Sequence, residues 1–184
     1  MGLREVDIYA GLNVMILLLV LNRYAQSEDE LKDKISFNPC GQVDSFESTR
    51  LLYIISYSNS VKLDTFVNTV NQFFSNVNLS GANLSGANLS SINLSLANLT
   101  DANLGGANLS SANLCLANLT DAYLGGTNLS DISLYSANLS GIFWNEYTQW
   151  KNVQGLETAE NLPEALKQLL SLYPPNPSPD APNS

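Results

Sequence analysis

From Val77 to Ile142 the chain places a leucine at every fifth position: Leu79, Leu84, Leu89, Leu94, Leu99, Leu104, Leu109, Leu114, Leu119, Leu124, Leu129, Leu134 and Leu139. Trp144 takes the next slot. Two residues before each stands a small or β-branched residue, most often alanine, as at Ala82, Ala87, Ala97 and Ala102. Between them lies asparagine, except where Tyr123 and Ser133 replace it. A period of five matches neither a helical turn nor the two-residue alternation of a strand, and a helix would carry the leucines off any one face within about ten residues. Pairs such as Ser80-Gly81, Ser85-Gly86 and Gly105-Gly106 supply turns, with glycine free to take positive φ. The pattern predicts short extended pieces joined by tight turns, leucine and alanine facing inwards: a solenoid of small coils.

The units Ala82-Asn83-Leu84-Ser85-Gly86 and Ala107-Asn108-Leu109-Ser110-Ser111 resemble the pentapeptide-repeat family, over about 70 of the 184 residues. The resemblance implies a mainly β fold, a right-handed quadrilateral β-helix with four repeats per coil. A second period, of twenty, agrees with four sides. Gly86, Gly106 and Gly126 align in one column, Ser91, Ser111 and Asp131 in another, Leu96, Leu116 and Ser136 in a third, and Asp101 and Asp121 in the fourth. Fourteen repeats predict about three and a half coils, a rod roughly 17 Å long at strand spacing. The asparagines are placed to stack as hydrogen-bonded ladders along it.

An α-helical N-terminal region over 1–76 is expected to cap the solenoid of 77–150. A capping segment and helix follow over 151–173, then a disordered proline-rich tail over 174–184. The run from Leu12 to Leu21, apolar on all sides apart from Asn13, is about half of what a membrane span needs and reads as a buried helix, with an anchor or export signal as the alternative. Ser27 to Lys34 starts with a capping-box pattern and continues with Glu28–Lys32 and Glu30–Lys34 pairs, as a solvated helix would. Asn38 to Gly41 read as a turn. Residues 44–57 read as a buried helix or strand. Val61 to Phe74 predict an amphipathic helix, with Phe66, Val67, Val70, Phe73 and Phe74 on one face, covering the first coil. At the other end Phe143, Trp144, Tyr147 and Trp150 read as an aromatic plug, and Thr148-Gln149-Trp150 resembles the terminal coil of cyanobacterial members of the family. Asn161 then caps a helix whose first turn holds Pro163 and Glu164, with Leu162, Leu166 and Leu169 on its apolar face.

Chemistry is sparse. The chain has no histidine, which removes the commonest general base and metal ligand, and neither a carboxylate pair nor a nucleophile with a base stands out. Cys40 and Cys115 are too few for a disulfide scaffold or a zinc site. No catalytic residue, cofactor or metal is therefore expected. The net charge of −9 argues against nucleic acid as a partner, since phosphate binding needs clustered Lys and Arg.

What remains is surface. Leu96 and Leu116 fill an outward position held elsewhere by Gly, Ser or Asp, with Cys115 and Tyr135 beside them. This apolar strip is either a docking surface for a protein partner or a shelf for the chain's own helices. Asp101 and Asp121 form a small acidic face. Some members of the family are rod-shaped DNA mimics that occupy topoisomerases. That reading is the alternative function, and three aspartates on so short a rod are few for it. The expected function is a non-catalytic interaction protein, cytoplasmic, with a homodimer through a solenoid face or end as one further arrangement and a membrane-associated scaffold through residues 12–21 as another.

Overall fold

The computed structural model describes residues 3–29, Leu51, Ile55 and 65–172. Helix α1 spans Leu3–Ser27, α2 spans Thr65–Val70 and runs into a 3-10 turn at Asn71–Phe73, and α3 spans Glu164–Leu172. Between α2 and α3 the chain winds as a solenoid. Parallel bridges climb it in four columns: Asn78–Asn98–Asn118–Asn138 on side A, Asn83–Asn103–Tyr123–Phe143 on side B, Asn88–Asn108–Asn128 on side C and Asn93–Asn113–Ser133 on side D. Each step is twenty residues, one turn of a four-sided coil.

Each side is one five-residue unit. Its leucine and alanine point inwards, and none of the thirteen leucines is more than 2% exposed. Each unit closes with a tight turn, such as Ala82 N–H to Leu79 O at 3.1 Å, whose third residue lies in the left-handed region. Fourteen such corners follow without a gap from Asn76 to Gly141, and Gly, Asn, Ser and Asp fill all but two. These residues tolerate that conformation, and this is what the Gly/Ser/Asp columns of the sequence encode.

The asparagines act twice. The Asn98 Oδ1 accepts the Thr100 N–H at 3.1 Å and the Thr100 hydroxyl at 2.7 Å, bracing the turn. The Asn98 amide also donates to the Asn78 Oδ1 one coil away at 3.3 Å, and Asn108 to Asn88, Asn113 to Asn93 and Asn128 to Asn108 repeat the rung. The expected ladders are present on sides A, C and D. On side B Tyr123 interrupts.

Pairing continues past position 150 with an altered stride. Asn128 bridges Gln149 and Ser133 bridges Gln154, each twenty-one residues on, and Asn138 bridges Glu160 after twenty-two. One residue has been inserted near 145 and another near 158. In the regular coils a corner N–H donates to a backbone carbonyl one coil up, as Gly106 does to Gly125 and Leu116 to Tyr135. At the insertions that carbonyl is displaced and a side chain replaces it: the Asn145 Oδ1 accepts from Gly126 at 3.0 Å, and the Thr158 hydroxyl oxygen accepts from Ser136 at 3.1 Å. Thr148, in an alanine slot, donates to Leu124 O at 2.8 Å, as buried Thr127 does to Leu104 O at 2.7 Å.

The helices close the first coil. Phe66, Val67, Val70 and Phe74 are buried, with Phe66 and Phe74 edge to face at 5.3 Å between centroids, and the Asn71 side chain accepts the Asn93 N–H at the rim of side D. The expected helix over 61–74 is α2 plus the 3-10 turn in the described part; positions 61–64 lie outside the described residues. α1 lies against both. Its Leu12, Met15, Leu19 and Ala25 are buried, and its opposite side is not, so the expectation of a buried helix holds for one face only. Ser27 ends α1 instead of opening a new helix: its hydroxyl donates to Tyr24 O at 2.7 Å. The pairs with Lys32 and Lys34, the turn at 38–41, Cys40 and most of 44–57 lie outside the described residues; within that last stretch Leu51 and Ile55 are helical and buried. Among the described residues no helix is long and apolar enough to cross a membrane.

At the far end Trp144 and Trp150 are half-buried against the core, edge to face at 6.4 Å. Phe143 and Tyr147 are exposed and are not part of a plug: Phe143 keeps the regular register and takes the outward slot that Tyr123 holds one coil earlier, and Tyr147 follows the inserted residue. Asn161 does not cap α3: its backbone is left-handed and its amide donates to the Asn138 Oδ1 at 2.9 Å, adding a rung to the side A ladder. The first turn of α3 closes instead on the Pro163 carbonyl, which accepts from Leu166 at 3.0 Å. Leu166 is buried, and Leu162 and Leu169 are partly buried on the core.

Candidate interaction surface

The corner after side D is where the solenoid departs from its own rule. In three coils it holds Leu96, Leu116 and Ser136, and the two leucines adopt φ of 62° and 61°. A left-handed backbone crowds Cβ against the following carbonyl, which costs a non-glycine residue about 1–2 kcal/mol. The side chains recover little of that, being 53% and 57% exposed. The chain's helices leave both in solvent. The leucines are joined to the next coil through Leu96 N–H to Cys115 O at 2.9 Å and Leu116 N–H to Tyr135 O at 2.8 Å, so Leu96, Leu116, Cys115 and Tyr135 form one continuous edge.

Cys115 is a free, half-buried thiol whose Sγ lies 3.1 Å from the Ser133 hydroxyl. Tyr135 is exposed, and its backbone lies against Gly155 of the inserted coil. A Cβ at Gly155 would fall 2.7 Å from the Tyr135 Cα, and Gly155 itself has φ of 80°, so both the space and the conformation require glycine.

Asp101 and Asp121 occupy left-handed corners after side A, one coil apart and exposed, with φ of 58° and 57°. The carboxylate of Asp121 covers Gly141 in the next coil. The geometry places these acids at turn positions that suit aspartate. Among the described residues no group of three or more Cys, Asp or Glu converges on a point where a metal could sit.

A second apolar patch is absent from the sequence reading. On side B the Tyr123 ring lies across two glycines: a Cβ at Gly105 would stand 2.8 Å from its Cε1, and one at Gly125 would stand 2.6 Å from its Cζ. Exposed Phe143 bridges Tyr123 one coil up, and Tyr147 passes near Gly126. The signal was the doublet Gly105-Gly106, repeated at Gly125-Gly126. Only the second glycine of each is left-handed, so the first is free of any turn requirement and is small for the ring's sake.

These features define a short repeat solenoid with the strongest chemical contrast on its edges. The repeats are of a known kind: residues 78–114 and 112–143 match the model for pentapeptide repeats, in eight copies, and this segment is a pentapeptide-repeat array, the right-handed quadrilateral β-helix of that family. No curated protein sequence matches the chain. Among solved structures the chain is similar to the pentapeptide repeat protein Rfr23 of the cyanobacterium Cyanothece 51142, with 39% identity over 42% of this chain and 63% of that one and a TM-score of 0.28. It is also similar to HetL of Nostoc sp. strain PCC 7120, a pentapeptide repeat protein involved in heterocyst differentiation regulation, at 26% identity over 43% and 51% of the two chains and a TM-score of 0.23. A pentapeptide repeat protein of the Arabidopsis thaliana thylakoid lumen aligns at 26% identity over 54% and 78%, with a TM-score of 0.21. The chain spans between half and two thirds of the length of the first two.

Proposed function

We propose that this protein is a non-catalytic interaction module, which binds a protein partner through the edge formed by Leu96, Leu116, Cys115 and Tyr135. The observation that carries the reading is the pair of half-exposed leucines in left-handed corners. Every other corner of the run uses a residue suited to that backbone. Two leucines there cost about 2–4 kcal/mol in backbone strain against glycine and leave apolar surface in water, so folding gives no reason for them. Contact with an apolar surface outside the chain does. A rigid edge suits this work, because binding to it costs no loop ordering.

The test is the double variant Leu96→Asp/Leu116→Asp. Aspartate already occupies this conformation at Asp101 and Asp121, so the variant is expected to fold, with stability within about 1 kcal/mol of the wild type. Tagged wild type and variant are used to capture partners from the source cell, and each protein lost with the variant is purified and titrated directly. The expected result is at least one direct partner whose affinity falls about 100-fold or more, as two lost apolar anchors imply. An unchanged set of partners refutes the edge as the interface.

A further inference from the structure

Helix α1 has two apolar faces and the fold uses one. Leu12, Met15 and Leu19 are buried on α2 and the 3-10 turn, while Val14, Leu17, Leu18, Val20, Leu21 and Tyr24 remain between 38% and 59% exposed on the other side. The outer residues are not scattered. Val14, Leu17, Leu21 and Tyr24 are spaced three, four and three apart, the seam of a two-helix interface, and Leu18 and Val20 widen it on either side. No charged residue occurs between Asp7 and Arg23.

We propose that this face docks against the same face of a second copy, so that the protein self-associates through α1. The area supports a second copy. Six side chains offering on the order of 100 Å² each give about 500–600 Å² per copy, the upper range for the largest patch on a monomer. Pairing two such faces buries about 1,000–1,200 Å², just past the floor for a specific interface and consistent with micromolar dissociation. The seam fits too, being self-complementary under a two-fold axis without any charge to be matched. A lipid surface fits less well. Helices that lie in a membrane interface carry Lys and Arg opposite their apolar face, whereas here the opposite face is buried in the core and the chain carries −9 overall.

Sedimentation of the full chain over about 1 to 200 µM reads the association directly. The wild type is expected to convert from monomer to dimer within that range. Leu17→Glu/Leu21→Glu, and independently Tyr24→Glu at the most exposed position, are expected to weaken it about 100-fold or more without changing the circular dichroism of the solenoid. Leu96→Asp/Leu116→Asp is expected to dimerise as the wild type does, which separates this inference from the proposed edge. A wild type that stays monomeric throughout, or α1 variants that dimerise unchanged, overturns the proposal. So does flotation of monomeric wild type with neutral phosphatidylcholine vesicles that Leu17→Glu/Leu21→Glu abolishes, an outcome that would give the face to lipid.

Discussion

Replacing Gly155 by alanine adds one methyl group, and the structure states what that group meets. The new Cβ would stand 2.7 Å from the Tyr135 Cα and nearer still to the Tyr135 nitrogen, where ordinary contact begins at about 3.4 Å. These are backbone atoms, so no rotamer change relieves the overlap. Tyr135 cannot retreat freely, because its carbonyl accepts the Leu116 N–H at 2.8 Å and the next N–H, of Ser136, is held by Thr158 at 3.1 Å. Gly86→Ala is the matched control: its φ of 68° is as left-handed, but its Cβ meets nothing within 4 Å. The control carries only the conformational penalty, about 1 kcal/mol, or about 2–4 °C in a chain of this size. Gly155→Ala carries that plus overpacking of about 1–3 kcal/mol and a weakened coil-to-coil bond, about 3–4 kcal/mol in all. Thermal and urea unfolding give the two totals. Amide exchange locates the damage, since each coil of a solenoid depends on its neighbours alone and the loss should centre on Leu116 and Ser136. Equal costs for the two variants, within about 0.5 kcal/mol, would refute the close approach of Gly155 to Tyr135 and with it the support of the apolar edge by the inserted coil.

Asn145→Ala removes the side-chain oxygen that replaces a backbone carbonyl for Gly126 at 3.0 Å and also accepts from Tyr147 at 3.1 Å; it should cost about 2 kcal/mol by urea titration, whereas Asn145→Asp, which keeps the acceptor, should cost under about 1 kcal/mol. Gly105→Ala should cost about 1 kcal/mol less in a Tyr123→Asn chain than beneath the Tyr123 ring, because the overlap with the ring is gone and only the Asn103 Oδ1, 3.2 Å from the new Cβ, has still to shift; urea titration of the double-mutant cycle reads the difference.

Much of this architecture is legible in the residues, because the solenoid repeats one local solution. The leucine register gives the interior, and the twenty-residue columns give the sides, each column being a set of corners whose residues suit a left-handed backbone. Legibility fails where the period does. Gln149, Gln154 and Glu160 pair normally with Asn128, Ser133 and Asn138, but two inserted residues shift them out of the register, and the corner N–H groups of Gly126 and Ser136 are taken by oxygens on Asn145 and Thr158 that no periodicity marks. Phe143 and Tyr147 suggest a plug as aromatic residues near an open end, but Phe143 stands in the outward asparagine slot of side B and Tyr147 follows the insertion, and both face solvent. Tyr123 was visible only as a missing asparagine. Its significance lies in Gly105 and Gly125, residues that a turn-based reading assigns wholly to the backbone. In α1 the sequence shows an all-round apolar helix, and composition alone does not say that α2 covers just one side.

The corners also separate stability from function in this molecule. Along the run from Asn76 to Gly141 the backbone poses the same conformational problem fourteen times and the sequence answers it with small or polar residues in all positions except Leu96 and Leu116. At Asp101 and Asp121 an exposed polar residue therefore needs no function, because the turn accounts for it. The leucines are the reverse case. Their strain of about 2–4 kcal/mol is a sizeable part of the 5–15 kcal/mol that holds a typical domain together. Among the described residues nothing offsets it, since Cys115 and Tyr135 beside them leave both side chains in water. A rule kept at twelve corners and broken at two, in the same column and one coil apart, is the observation on which the proposed partner edge rests.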